Sequence, residues 1–158
     1  MNFTRSGLAR AGYEGFRRIE DLHASECRDV PSESGIYIVV LPEAFEVRFL
    51  DQSPAGHFNG KDPTRPRSFL EARWVPDTDL LYVGSSKGMK ERIIKFLCFG
   101  VERKPVAHWG GRLIWQIADS CDLLIGWRQC NDHETAEKKL LTDFEATYGP
   151  LPFANLRH

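Results

Sequence analysis

Residues 80–97 read LLYVGSSKGMKERIIKFL, and the fold turns on them. The apolar run 80–83 predicts a buried strand. Gly84 predicts a tight turn, and Ser85 or Ser86 a helix start, since a serine hydroxyl accepts from the free N–H groups of a first turn. At about 3.6 residues per turn, Met89, Ile93, Phe96 and Leu97 fall on one face, with Arg92 at its rim. Tyr82, Gly84, Lys87 and Arg92 then converge near the end of one strand. Such a polar, cationic cluster on a packed element suits an anion, phosphate above all. Taken alone, the same stretch also describes a surface lysine and an arginine whose stem lies on apolar surface.

Working outward, residues 35–41 (GIYIVVL) form the clearest strand, β-branched and apolar throughout, so buried on both faces. Residues 123–130 (LLIGWRQC) predict a third. Residues 13–19 suit a short strand and 20–26 a short helix, with 1–12 loosely ordered and a proline turn at 30–34. Residues 42–79 hold five prolines and make a long connection in which 44–50 and 69–75 suit strands or short helices. Long connections are often functional, and Lys61, Arg65, Arg67 and Arg73 are candidate phosphate contacts. A solvated surface insertion is the equal alternative. A turn at 100–105, the His108-Trp109-Gly110-Gly111 run, a short helix over 112–118 and a turn at 119–122 complete the middle of the chain.

The last helix spans 132–148 and stops at Gly149-Pro150. Asn131 and Glu134 have capping-box spacing. Ala136, Leu140, Leu141, Phe144 and Tyr148 form its apolar stripe. Glu137 falls inside that stripe, where a carboxylate is costly unless it is paired or binds a cation. An ion pair with Arg92 or another base is the structural alternative.

The chain has 158 residues and suits a single domain. Its net charge of −1 excludes a globally basic nucleic-acid binder, so any such site is local. No apolar run has the length of a membrane span, and the first residues lack a signal peptide's hydrophobic segment. Four cysteines without a Cys-x-x-Cys pair suit free thiols in a reducing, cytoplasmic setting.

Gly35-Ile36-Tyr37 and Tyr82-Val83-Gly84, followed by Arg92, Glu137 on a late helix and Asn155 near the end, resemble the GIY-YIG nuclease superfamily. Either triplet alone is weak; the ordered set is more specific. The resemblance covers roughly residues 34–155. It implies an α+β fold with a central three-stranded antiparallel sheet flanked by helices, here with an N-terminal extension (1–33) and an insertion (42–79). It implies an endonuclease that hydrolyses DNA phosphodiester bonds with one divalent metal, magnesium or manganese (Mg2+ or Mn2+). Tyr37 and Tyr82 would lie next to the scissile phosphate, with Tyr82 as general base, its pKa lowered by Lys87, Arg92 and the metal. Arg92 would hold a phosphate oxygen, Glu137 the metal, and Asn155 the site geometry. Gly84, Lys87 and His108 would contact substrate. Many members carry histidine four residues after the arginine. That position is Phe96 here, and His108, in a turn where histidine is ordinarily exposed, is the candidate to fill in spatially. The alternative is a catalytically inactive nucleic-acid- or protein-binding module.

Overall fold

A computed structural model describes residues 2–158. The fold is α+β. Its sheet has four strands, not three: β1 (Glu14–Arg18), β2 (Gly35–Val40), β3 (Leu80–Ser86) and β4 (Leu124–Gln129), in the spatial order β1-β4-β2-β3. Every neighbouring pair is antiparallel. The helices are α1 (Arg5–Arg10), α2 (Ile19–Ala24), α3 (Arg67–Arg73), α4 (Met89–Gly100) and α5 (His133–Tyr148), with 3-10 turns at Arg112–Gln116 and Ser120–Asp122. No helix among the described residues is long and apolar enough to cross a membrane.

β2 is central and wholly buried because both faces of the sheet are covered. Side chains alternate along a strand. Ile36, Ile38 and Val40 face a layer that holds Leu8 of α1 and Leu140, Leu141 and Phe144 of α5. Tyr37 and Val39 face the opposite layer, with Ile93, Phe96 and Leu97 of α4. The two amphipathic helices thus bury the stripes that their spacing defined.

Residues 2–12 are ordered, contrary to expectation. Thr4 caps α1 by accepting from Gly7 N–H (3.1 Å), and Phe3 packs edge-on against Phe144, ring centroids 5.1 Å apart. The insertion is anchored to the core by its aromatic residues, while most of residues 57–68 are exposed. Phe45, Phe49, Phe58, Phe69 and Trp74 pack onto the α4 side of the core, and of the two segments read as strands or helices only the second becomes regular, as α3.

Gly84 does not turn the chain. β3 runs on through it, opposite Tyr37, to a last pair between Gly35 and Ser86. α4 therefore starts later than the serines suggest, with Gly88 as N-cap. Ser86 Oγ accepts from Gly88 N–H (3.1 Å) rather than capping the helix. The free N–H groups of Met89 and Lys90 donate instead to the carbonyls of Glu33 and Pro31, both at 3.1 Å. At α5, Asp132 is the N-cap and makes no side-chain cap bond, so the Asn131–Glu134 box does not form.

β3 is an edge strand, and its open edge is covered by the C-terminal segment. Ala154 N–H donates to Leu81 O (2.8 Å). Asn155 is buried, and its side-chain amide meets both backbone groups of Val83: Nδ2–H donates to Val83 O and Oδ1 accepts from Val83 N–H, each at 2.9 Å.

Candidate active site

The β2–β3 pairing sets the two tyrosines side by side. Tyr37 stands opposite Gly84 and Tyr82 opposite Val39, with ring centroids 6.1 Å apart. A Cβ on Gly84 would lie 2.4 Å from Tyr37 Cζ and 2.5 Å from its hydroxyl oxygen. The glycine is thus empty space that seats the Tyr37 ring.

Tyr37 is fully buried, and its hydroxyl lies 2.7 Å from His108 Nε2. His108 is buried too, contrary to the exposure expected of a turn histidine. Its ring packs on Phe96 at a centroid distance of 4.8 Å, so the aromatic at the expected histidine position forms one wall for a histidine arriving from another segment. Arg92 fixes that segment, its Nη1–H donating to Ala107 O (2.7 Å). Gly111 allows the approach, since a Cβ there would sit 2.9 Å from Phe96 Cε1 and 3.3 Å from His108 Cε1.

Electrostatics here run against an ionised tyrosine. Burial carries the Tyr37 pKa well above its usual value, neighbouring Tyr82 adds to the rise, and Arg92 only partly offsets it. Burial likewise pushes Tyr82 up to about 12, with the Tyr37 hydroxyl and Arg92 opposing and Glu137 reinforcing. The lowering expected from cations is outweighed by desolvation. Burial and then the charge of Arg92 push His108 down to about 3, so its imidazole is neutral near pH 7. With phenol and imidazole both uncharged, one donates to the other. His108 Nδ1 is buried without a hydrogen-bond partner among the described residues.

Tyr82 and Glu137 line one open cleft of about 450 Å³, together with Val83, Trp109, Gly110, Arg112 and residues 155–158. Glu137 is half-buried on α5. Its Oε2 accepts from Ser85 Oγ–H at 2.5 Å, and His133 Nδ1 lies 3.3 Å from the same hydroxyl oxygen. The Arg92 ion pair considered for Glu137 does not form; among the described residues the carboxylate has no cation within salt-bridge distance.

The remaining candidates divide. Asn155 lies at the cleft and holds Val83, the neighbour of Tyr82. Lys87 is exposed and does not line the cleft. Gly84 is buried under Tyr37. In the basic set of the insertion, Arg73 is committed to structure, donating through Nε to Phe153 O (3.0 Å) and through Nη2 to Asn155 O (2.7 Å). Arg67 pairs with Asp51 at 3.3 Å, and Lys61 is exposed. Ser85, His133, Trp109, Arg112 and Arg157 are the residues that sequence reasoning missed. Only His133 carried a signal, four residues before Glu137 on the same helix face.

No group of three or more His, Cys, Asp or Glu among the described residues could hold a metal ion. The described side chains therefore do not enclose a metal on three or more protein ligands. A hydrated magnesium or manganese ion fits better, because such ions bind through one or two carboxylates and keep several waters. Glu137, a hard oxygen donor in an open cleft and with no cation within salt-bridge distance among the described residues, suits that mode. Compared with protein-family models, curated proteins and solved structures, the chain matches none.

Proposed function

We propose that the chain is a metal-dependent endonuclease of GIY-YIG type that hydrolyses DNA phosphodiester bonds. The observation that carries this reading is the cleft in which Tyr82 and the unpaired carboxylate of Glu137 meet. Tyr37 lies behind Tyr82 on the paired strand, and Asn155 clamps the intervening backbone.

A phosphodiester is anionic, so attack on it needs charge neutralisation as well as a deprotonated nucleophile. Glu137 would hold the Mg2+ or Mn2+. That ion, when bound, supplies Lewis acidity toward the phosphate oxygens and a field that favours ionised oxygen nearby. Held up at about 12 by burial, Tyr82 is a neutral phenol near pH 7, so it would release its own proton to solvent in the open cleft before, as the phenolate, taking one from the attacking water. Tyr37 and His108 form a neutral, buried pair that backs Tyr82 and excludes water from behind it. Arg92 directs its charge toward both tyrosines while one N–H holds the Ala107 carbonyl.

One observation favours a second reading. Tyr37 is fully buried and hydrogen-bonded, and so withdrawn from a bound strand. This suits a module that binds nucleic acid without cutting it. Incubation with supercoiled plasmid in magnesium, in manganese and in chelator separates the two. The nuclease nicks or linearises the plasmid only with metal. Salt-dependent binding to plasmid and to branched and linear duplexes, with no cleavage of any, refutes the enzyme and leaves the module.

A further inference from the structure

We infer that Arg65 and Arg112 form a two-guanidinium clamp for a non-scissile phosphate of the DNA strand that enters the cleft, an inference that rests on the nuclease reading. Arg112 lines the cleft beside Tyr82 and Glu137. Its guanidinium carbon stands 4.4 Å from the centroid of the Trp109 ring, and its Nη1–H donates to Trp109 O (2.9 Å). Arg65 belongs to the insertion, and its guanidinium carbon lies 4.0 Å from the centroid of Phe69. A guanidinium with one face on an aromatic ring keeps its N–H edge for a planar, bidentate acceptor.

What joins the two arginines is Gln116, fully buried at the end of the 3-10 turn that Arg112 begins. Gln116 Oε1 accepts from Arg65 N–H (2.9 Å), and its Nε2 group donates to Arg65 O (2.7 Å) and to Leu50 O (2.8 Å). The insertion backbone at Arg65 is therefore pinned to the turn that carries Arg112. The charge of Arg65 bears on Arg112, adding to burial in lowering its pKa. One buried side chain thus ties the segment that carries Arg65 to the turn that carries Arg112, and among the described residues neither guanidinium has a carboxylate within salt-bridge distance. The other arginines of the insertion answer to protein groups: Arg48 to Asp119, Arg67 to Asp51, and Arg73 to two carbonyls. Arg65 and Arg112 are left to share an anion from outside. Arg112 lines the cleft and Arg65 is joined to its turn through Gln116, which makes that anion a phosphate flanking the one at Tyr82 and Glu137. The insertion thereby becomes part of the substrate track of a chain with net charge −1.

The test is anisotropy of a short fluorescein-labelled DNA duplex, titrated with the full chain in chelator across a salt series. Arg65→Ala is the clean variant, because the side chain is exposed and the pinning bonds are made by its backbone. It should weaken binding about tenfold or more and reduce the salt slope by about 0.9, the loss of one phosphate contact. Arg112→Lys keeps the charge but not the fork, and should also weaken binding. With both changes, the loss should be smaller than the product of the two, because they share one phosphate. Arg17→Ala, on the opposite edge strand, is the charge control and should bind as wild type. Unchanged affinity and slope in Arg65→Ala, or an equal loss in Arg17→Ala, overturns the clamp. A wild type that binds in this Arg65-dependent way but never cuts leaves the clamp standing and refutes the nuclease. A wild type that cuts, while Arg65→Ala binds and cuts equally well, refutes the clamp alone. No binding by the wild type overturns both.

Discussion

Asn155→Asp replaces one buried amide group by an oxygen of nearly the same size. The wild-type side chain completes the edge of β3 with two bonds of 2.9 Å, and only one amide orientation satisfies both Val83 groups. An ionised carboxylate still accepts from Val83 N–H but faces Val83 O with an acceptor. The change removes one hydrogen bond, about 1 kcal/mol, and leaves a buried carbonyl unmet, about 1–3 kcal/mol more. The expected loss near pH 8 is therefore about 2–4 kcal/mol. A protonated carboxyl can donate to Val83 O again, so the introduced group has a folded-state pKa above its unfolded value of about 3.9. Between those two values the folded state holds more protons than the unfolded state, and stability falls as pH rises. A 3 kcal/mol penalty on the ionised form corresponds to a rise of about two pKa units. The deficit relative to wild type should then shrink between pH 8 and pH 5. Urea unfolding of both proteins at the two pH values measures it. A deficit below about 0.5 kcal/mol at pH 8, or one that does not change with pH, would refute the role assigned to Asn155.

Two further outcomes follow from buried polar groups. Gln116→Leu removes the partners of Arg65 N–H, Arg65 O and Leu50 O at once. Urea unfolding should show a loss of about 3–5 kcal/mol, and limited proteolysis should cut first within residues 50–66. The His108 imidazole, held at about 3, takes up its proton in the unfolded chain at about 6.5. The unfolded state binds more protons across that window, so wild-type stability falls as pH drops through it. His108→Gln lacks this dependence, and the difference in Tm between the two proteins should narrow from pH 7 to pH 4. A constant difference would contradict the buried, neutral state of His108.

The parts legible in the sequence were those whose periodicity leaves one choice. The 35–41 run and the apolar first half of 123–130 are short, carry β-branched or aromatic residues, and are bounded by turn residues, as buried strands are. The Met89–Leu97 and Leu140–Phe144 faces repeat as buried helices must. β1 was readable as a strand but not as a fourth member of the sheet. Its residues are mostly exposed, Phe16 has a positive φ of 51°, and its register against β4 shifts between Glu14 and Arg17. Gly84 misled because a glycine after an apolar run ordinarily ends it, whereas here the missing side chain makes room for a ring on the neighbouring strand. His108 and Arg73 could not be placed at all from local pattern. One is buried by aromatic groups from α4 and β2, the other held by carbonyls at the far end of the chain. The juxtaposition of Tyr82 with Glu137 rests on such long-range closure as well, since α5 must pack beside β3 before the two share a cleft.

The most direct test of the central claim is the rate at which Glu137→Ala nicks supercoiled plasmid in magnesium and in manganese, beside the wild type. Metal-dependent nicking by the wild type is expected. The variant should lose at least about a hundredfold in rate, the scale of a removed electrostatic stabiliser, and retain salt-dependent duplex affinity in chelator. Cleavage by Glu137→Ala at the wild-type rate would contradict that claim.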